Sequence, residues 1–471
     1  MAYRDLRDYL EALEKRGKLH RVTAEVDKDW EIAAVCRRVF QKIIPERRPV
    51  LLFERVKGFR IPVLVGSLGA SSEVYAVALQ DRVENIHERW EQAQTCPIKP
   101  TRVPTGPCKE HVLRGNDADL SHLPVPIWTV GEDPGPYITA PCVVSRDPET
   151  QAYNVGTYRL QVKGPRKLGI QAHEGQHISH HRRKYEARSQ NTPVAIVLGP
   201  DPTIEMASVT KFNLDTEEYD IAGGLRGEPV PLVPCETVPI EVPAPAEIVI
   251  EGEIPPGYRE LEGPFGEYTG YMGASGNMPV IEVTCITHRD HPIYRAFFSQ
   301  MPPSESSCIK QTGREQSLLK HLKVDLRLPV LDLHLPESAG VAGIMLISIK
   351  KGDPSDVKRV VSGAMRYAEG FGKFIVVFDE DIEIRDHFQV DWAMSFHVQP
   401  AKDIEIIPEV QAVALDPSQA PADVPQEHPS RRISSKVIID ATRKHTFPAL
   451  SLPPKEHLRR VDAEWAKYGL E

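Results

Sequence analysis

Two glutamates, Glu262 and Glu267, stand on either side of a Gly-Pro-Phe-Gly turn in ELEGPFGEYTG, the stretch from Glu260 to Gly270. Pro264 fixes its own φ, and Gly263 and Gly266 tolerate backbone angles that other residues resist, so the turn can hold both carboxylates in a set relation. Two acids on a rigid turn suit proton transfer. Taken alone, the stretch reads equally as a polar surface loop. A second constellation lies upstream. Asn154 in NVGTYR, His177 in AHEGQHISHH and Glu218 in TEEYDIAGGLRG offer one amide carbonyl, one imidazole and one carboxylate. That donor set suits Mn²⁺ or Mg²⁺, ions that complete their shell with water or phosphate oxygens. Ligand type does not decide the matter, because His173, His177, His180 and His181 also fit a solvated helix and Asn154 fits a turn cap. Arg159, downstream of Asn154, is either a surface residue or the partner of a carboxylate across the domain.

The elements that must position these groups follow from composition and pattern. With 471 residues the chain has room for two or three domains and a large core. Its hydrophobic fraction of 41% and charged fraction of 26% are those of a globular protein. A net charge of −9 with no basic block argues against a nucleic-acid or anionic-membrane surface. No long apolar run and no apolar signal core are present, which places the expected home of the chain in the cytoplasm. Seven cysteines without C-x-x-C pairing read as buried reduced thiols.

The expected class is α+β and multidomain. Residues 1–110 read as an N-terminal α/β unit: a helix carrying Leu6, Leu10 and Leu13 that stops at Gly17, a strand at Val22 and Val26, and a helix near Trp30 to Phe40. Strands at 50–53 and 61–65 and one long helix from about Ser72 to Gln94 complete it. A proline-studded stretch from Pro97 to Pro141 reads as a linker wrapping onto the next domain. Residues 111–310 carry short β-like runs between Gly and Pro turns, with one helix from about Glu174 to Ser189, which predicts a barrel-like or sandwich-like domain holding the glutamate turn. In residues 320–471, VAGIMLISI, a helix over Val357 to Ala368 and KFIVVFDEDI form a strand–helix–strand succession with wholly apolar strands, the mark of a parallel sheet covered on both faces. The tail, PPKEHLRRVDAEWAKYG, reads as a helix able to dock on a partner subunit.

N-V-G-T-Y-R, Gln176-His177, E-Y-D-I-A-G-G-L-R-G, A-E-I-V-I-E-G and E-G-P-F-G-E, in this order and spacing, together resemble the UbiD family of decarboxylases, which use prenylated FMN. VVFDEDIEIRD followed by Trp392-Ala393, and SSKVIIDAT at Ser434 to Thr442, resemble the family's C-terminal domain, so the likeness spans roughly residues 5–445. It implies a central split β-barrel of flavin-reductase type, with the cofactor phosphate held through a divalent ion and K⁺. Carried over residue by residue, the divalent-ion ligands would be Asn154, His177 and Glu218, and the cofactor would also meet Thr157, Arg159, Gln176, Ser208 and His397. The catalytic set would be Arg159, Glu262 and Glu267. Glu262 would stay a carboxylate that orients Arg159, and Glu267, its pKa raised by burial, would donate the proton that replaces CO₂. The prenylated ring would supply the electron sink.

The implied reaction is reversible decarboxylation of an aromatic, heteroaromatic or α,β-unsaturated carboxylic acid. Ser299 to Ser317 would line the substrate side through Met301 and Arg314. Arg314 would grip a second anionic group bidentately or be an ordinary helix-surface arginine beside Glu315. A flavin prenyltransferase would supply the cofactor, and the assembly would be a homodimer or homohexamer, with Leu458, Val461 and Trp465 at near-helical spacing in the tail. Two positions depart from the family pattern: His397 stands where members commonly carry Lys or Arg, and Lys211 stands before Glu218 where proline is common. Two other classes compete. A simple flavin-binding module has no need of Arg159, Glu262 and Glu267 together, and a metal-dependent hydrolase would work with metal alone.

Overall fold

A computed structural model describes residues 2–367, 370–413, 415–421, 424 and 429–469. The chain opens with the helix Leu6–Lys15, whose Leu6, Tyr9, Leu10 and Leu13 form one buried face. Asp5 caps it by accepting the Asp8 N–H, a contact typically worth about 1 kcal/mol. The strands Leu19–Val26, Val50–Val56, Val63–Val65 and Tyr294–Ala296 form a four-stranded sheet in that order. Its last strand arrives from far along the chain and ties the start of the protein to the segment that leads into the helix Glu305–Lys320.

A ten-stranded antiparallel sheet carries the site. Its path runs Tyr137–Ile138, Leu160–Gly164, Lys167–Ile170, Gly276–His288, Ile248–Ile254, Thr192–Leu198, Cys142–Arg146, Tyr153–Gly156. Arg259–Glu262 and His111–Arg114 also pair with the long strand Gly276–His288. Thr192–Leu198 is buried at every position. Val194, Ile196 and Leu198 enter one core and Ala195 and Val197 another, which is why this strand is a continuous apolar run rather than an alternating one.

The last sheet places Val330–His334, Ile344–Ile349, Phe374–Asp379, Ile433–Ala441 and Ile404–Gln411 side by side. Its three central strands are parallel and both edge strands antiparallel. The helix Asp356–Tyr367 packs Val357, Val360, Val361 and Ala364 against one face, and Ile384 and Ala393 cover the other. All seven cysteines are free. Among the described residues, no helix is long and apolar enough to cross a membrane.

The mixed α/β multidomain character matches the sequence reading, but several details differ. The ten strands follow an open path, and no closed barrel is formed among the described residues. The expected long helix from Ser72 to Gln94 is two, Ser72–Ala78 and Ile86–Thr95. Gln80 takes a left-handed φ of +55°, and Asp81 accepts the Arg82 N–H and the Asn85 amide, a side-chain turn that outcompetes helix continuation. The helix expected from Glu174 spans His177–Glu186, because Gly175 at φ +89° stops it from starting earlier. The stretch after Pro97 contributes His111–Arg114 and Tyr137–Ile138 to the large sheet rather than merely linking. The helix expected to end at Ala368 is seen to Tyr367, and Ala368 lies outside the described residues.

Candidate active site

Arg159 immediately precedes the strand Leu160–Gly164, and its side chain reaches the glutamate turn. Its Nε donates to Glu262 Oε1 at 3.0 Å and Nη2 to Glu262 Oε2 at 3.1 Å, a bidentate pair, while Nη1 donates to Glu267 Oε1 at 2.7 Å. One guanidinium therefore spans both carboxylates. The Arg159 side chain is 9% exposed, Glu262 1% and Glu267 21%, so Glu262 is the enclosed anchor and Glu267 the acid with access to open space. Beneath them the Phe265 ring centroid lies 5.2 Å from the guanidinium carbon and packs at a 43° tilt against Tyr137, the two ring centroids 4.4 Å apart.

The turn is fixed by backbone. Glu267 N–H donates to Tyr271 O and Gly273 N–H to Phe265 O. Gly263 has φ +82°, where other residues are strained. A Cβ at Gly273 would come within 3.0 Å of Glu267 Cγ, so glycine is what lets the carboxylate lie flat against the turn. Burial pushes the Glu267 carboxyl above its ordinary value, against the pull of the cations Arg159 and Lys310.

Lys310 was not singled out by the sequence reading. It sits on the helix Glu305–Lys320, its ammonium 4.7 Å from the Tyr268 ring centroid. Burial pushes that ammonium down to about 8, with Arg314 adding to the effect and Glu267 opposing it. Among the described residues it makes no hydrogen bond or ion pair. Arg314 lies one turn on, stacked 4.2 Å over the Phe371 ring with Nη1 donating to Val341 O at 3.2 Å. Glu315 turns away to His334 and Arg385, so Arg314 is not a helix-surface pair with it. The i, i+4 spacing of Lys310 and Arg314 was the available signal for a shared cationic face.

Met301 lines a different space, a cavity of about 1080 Å³ bounded by Trp128, Thr129, Gly266, Gly273 and Gln300. The cavity borders the glutamate turn at Gly266 and at Gly270 to Ala274 and has room for an aromatic acid.

His177 Nδ1 lies 3.8 Å from Glu218 Oε1, and Glu218 Oε2 accepts the Val155 N–H at 2.8 Å. Asn154 precedes Val155. Its Nδ2 donates to Ser145 Oγ, which also meets His181 Nδ1 one turn along the His177 helix, and its Oδ1 accepts from Tyr158 Oη. His177 and Glu218 thus face each other, and Asn154 stands beside them through its neighbour Val155, whose N–H Glu218 accepts. Glu218 is buried and, among the described residues, forms an ion pair with no arginine or lysine. Burial pushes its carboxyl up to about 7. A divalent cation would offset that cost, so the donors fit such an ion. Among the described residues no group of three His, Cys, Asp or Glu side chains forms a metal cage, and it is the asparagine that would complete this set.

Thr157 and Ser208 are joined twice, through Thr157 N–H to Ser208 O and hydroxyl to hydroxyl, each at 2.9 Å. Gln176 stands at the start of the His177 helix and accepts the His173 N–H. Lys211 is exposed, its charge near His177. His397 lies elsewhere, packed edge-on to Trp392 and Phe447 with Nδ1 near Ala441 O, and among the described residues these contacts do not reach the Arg159 network.

Three consecutive family domains match the chain: the 3-octaprenyl-4-hydroxybenzoate carboxy-lyase N-terminal domain over 10–93, its Rift-related domain over 99–302 and its C-terminal domain over 309–441. A phenolic acid decarboxylase from Streptomyces sp. (strain D7) is 34% identical, the alignment covering 99% of this chain and 98% of that one. The UbiD-class enzyme HmfF from Pelotomaculum thermopropionicum, solved with FMN, is 36% identical with a TM-score of 0.85 over 97% of this chain and 99% of its own. An evolved dimeric form of HmfF, solved with prFMN, gives 36% and 0.82 over 98% of this chain and all of its own. With family domains matched from residue 10 to residue 441 and relatives aligned end to end, the chain belongs to the UbiD family of carboxy-lyases.

Proposed function

We propose that this carboxy-lyase removes CO₂ reversibly from an aromatic, heteroaromatic or α,β-unsaturated carboxylic acid, with Glu267 as the proton donor. The observation that carries this reading is the Arg159 guanidinium shared between Glu262 and Glu267. Glu262 grips Arg159 from the enclosed side and fixes its plane. Arg159 then presents cationic N–H groups towards the scissile carboxylate and keeps Glu267 at a set distance. Glu267, its carboxyl pushed above the ordinary value by burial, is the acid that transfers its proton to the substrate carbon that has lost CO₂. In the carboxylating direction it takes that proton back. The cavity beside Gly266 and Gly273 admits the substrate and sheds water around the transfer.

Prenylated FMN, when bound to the central domain read as a split barrel of flavin-reductase type, would supply the electron sink for breaking the carbon–carboxylate bond. Asn154, His177 and Glu218 would hold a Mn²⁺ or Mg²⁺ ion and, with K⁺, Thr157, Gln176 and Ser208, would receive the cofactor phosphate. The units 1–110, 111–310 and 320–471 divide the work into scaffold, cofactor site and substrate-side cover. Lys310 and Arg314, neither with a carboxylate partner among the described residues, form the face that reads an anionic substituent of the substrate, and Met301 contributes to the cavity wall. A flavin prenyltransferase supplies the cofactor in the cytoplasm.

The test is co-expression with a flavin prenyltransferase, followed by a near-ultraviolet and visible spectrum and a decarboxylation panel of phenolic, heteroaromatic, dicarboxylic and cinnamic-type acids. Flavin absorption with CO₂ release from at least one class is expected. Activity with metal alone and no flavin spectrum would overturn the reading.

Two further outcomes are expected. Loss of even an outer partner of a metal ligand costs roughly 10–100-fold in metal affinity, so His177→Ala, which removes a ligand, lowers metal occupancy by at least that much in elemental analysis. Wild-type occupancy in His177→Ala would remove His177 from the site. The chain is also expected to assemble: Leu458 and Trp465 are exposed on or just beyond the tail helix Lys455–Ala463, an apolar face with no partner among the described residues. Light scattering is expected to give at least twice the 52.7 kDa of one chain, and a monomer at micromolar concentration contradicts it.

A further inference from the structure

The motif SSKVIIDAT plays no part in the chemistry above, yet its lysine is placed at a cost. Lys436, on the strand Ile433–Ala441, is 5% exposed. Its ammonium donates to the carbonyls of Phe371 and, at 3.3 Å, Gly372, and among the described residues no carboxylate pairs with it. Burial lowers its pKa. An ammonium enclosed without a counter-ion is unfavourable, and an apolar side chain of similar length would fill the space without that cost. What Lys436 holds is therefore the informative part.

It holds a turn that is pinned from several other directions. Gly372 N–H donates to Ala342 O at 2.7 Å, Phe374 N–H to Gly343 O, and Val437 N–H to Lys373 O. Gly372 is left-handed, at φ +67°. The turn carries Phe371, the ring on which the Arg314 guanidinium lies. Among the described residues Arg314 has one other hold, the Val341 carbonyl, and no anion. A long, flexible cation that faces a substrate needs its direction set by something rigid. Here the rigid parts are one ring face and one carbonyl, and the ring stands on the turn that Lys436 ties down.

We propose that Lys436 is a positioning residue for substrate recognition: by clamping the Phe371–Gly372 turn it keeps the aromatic face under Arg314 and so aims the guanidinium at the anionic substituent of the substrate. This rests on the reading of Lys310 and Arg314 as the substrate-side cations. Lys436 itself touches no substrate. A cation held on a ring face is worth enough that loosening it changes affinity on the order of tenfold.

The experiment uses the flavin- and metal-loaded protein and two probes, benzene-1,4-dicarboxylate and benzoate, whose dissociation constants are measured by titration of the flavin spectrum. The readout is the preference for the dicarboxylate over the monocarboxylate, a ratio that a general loss of stability does not move. Wild type is expected to prefer the dicarboxylate, and Arg314→Met to lose that preference by roughly tenfold to a hundredfold, the worth of a charge-assisted hydrogen bond. Lys436→Met and Phe371→Leu are each expected to cut it on the order of tenfold. Lys436→Arg, which can reach the same carbonyls, should keep it. The double variant Lys436→Met with Arg314→Met should be no worse than Arg314→Met alone.

If wild type shows no preference, or Arg314→Met leaves it unchanged, the reading of Arg314 fails and the proposal with it. If Arg314→Met abolishes the preference while Lys436→Met keeps it, or the two losses add in the double variant, Lys436 is structural only and this proposal alone is overturned. Should Lys436→Met not fold, Lys436→Gln, whose amide nitrogen stands one bond short of the ammonium and cannot span both carbonyls, takes its place with the same two outcomes.

Discussion

Glu267→Gln is expected to bind flavin and metal as the wild type does while turnover falls by roughly 10²–10⁴-fold, the usual worth of general acid catalysis. The amide oxygen of glutamine can accept the Arg159 Nη1–H that Glu267 Oε1 accepts at 2.7 Å, and its volume fits against Gly273, so little else changes. What is lost is the transferable proton. Burial raises the Glu267 carboxyl above its ordinary value while Arg159 and Lys310 draw it back, which leaves an acid that is partly protonated where an ordinary glutamate would not be. The pH dependence follows in sign. The donor must carry its proton, so the wild-type decarboxylation rate falls as pH rises through that raised value, and this limb disappears in Glu267→Gln. Solvent deuterium gives a second readout, since the label should enter the product at the carbon that lost CO₂ and the variant should lose that exchange. A variant that decarboxylates near the wild-type rate would place the donor elsewhere.

Much of the site could be read from residue types and order, but not its connectivity. Arg159 was expected to face Glu262, and the second contact to Glu267 was not foreseen. The reason is geometric: ELEGPFGEYTG shows that two acids share a turn, but whether both point inward depends on how the turn folds back between Phe265 and Gly273. Lys310 was passed over because it follows a run of small polar residues, although its spacing from Arg314 puts both on one side of a helix. At the level of fold, the apolar strands were plain in runs such as PVAIVLG. Whether the large sheet closes was not, since closure depends on stagger and tilt between strands distant in sequence, which alternation does not encode, and the path observed is open. The break at Gln80 escaped for a local reason. No glycine or proline marks it, and it depends on the Asp81 side chain capturing Arg82 and Asn85.

Arg159→Met carries the other large effect, on stability as well as chemistry. Removing the guanidinium leaves Glu262, 1% exposed, and Glu267, 21% exposed, facing the gap it occupied with no cation between them. Breaking a buried ion pair by deleting one partner typically costs about 3–5 kcal/mol, because the remaining charge stays desolvated. Two carboxylates without a cation repel, so one must take a proton from solvent. The direction with pH is then determined. Protonation is favoured in the folded variant more than in its unfolded chain, so the variant recovers stability as pH falls and loses it as pH rises. In thermal unfolding, the gap in Tm between wild type and Arg159→Met should be widest above neutrality and narrow towards pH 5. Turnover should be lost at every pH, because a shared proton on the glutamates cannot replace a fixed cation at the scissile carboxylate. Arg159→Lys separates charge from geometry: one ammonium can face one carboxylate but cannot fork between two, so it should regain most of the stability and little of the rate. A gap in Tm that stays constant from pH 5 to pH 8 would mean that the glutamates do not depend on Arg159 for their charge, and equal rates for Arg159→Lys and wild type would mean that the fork itself has no role in the reaction.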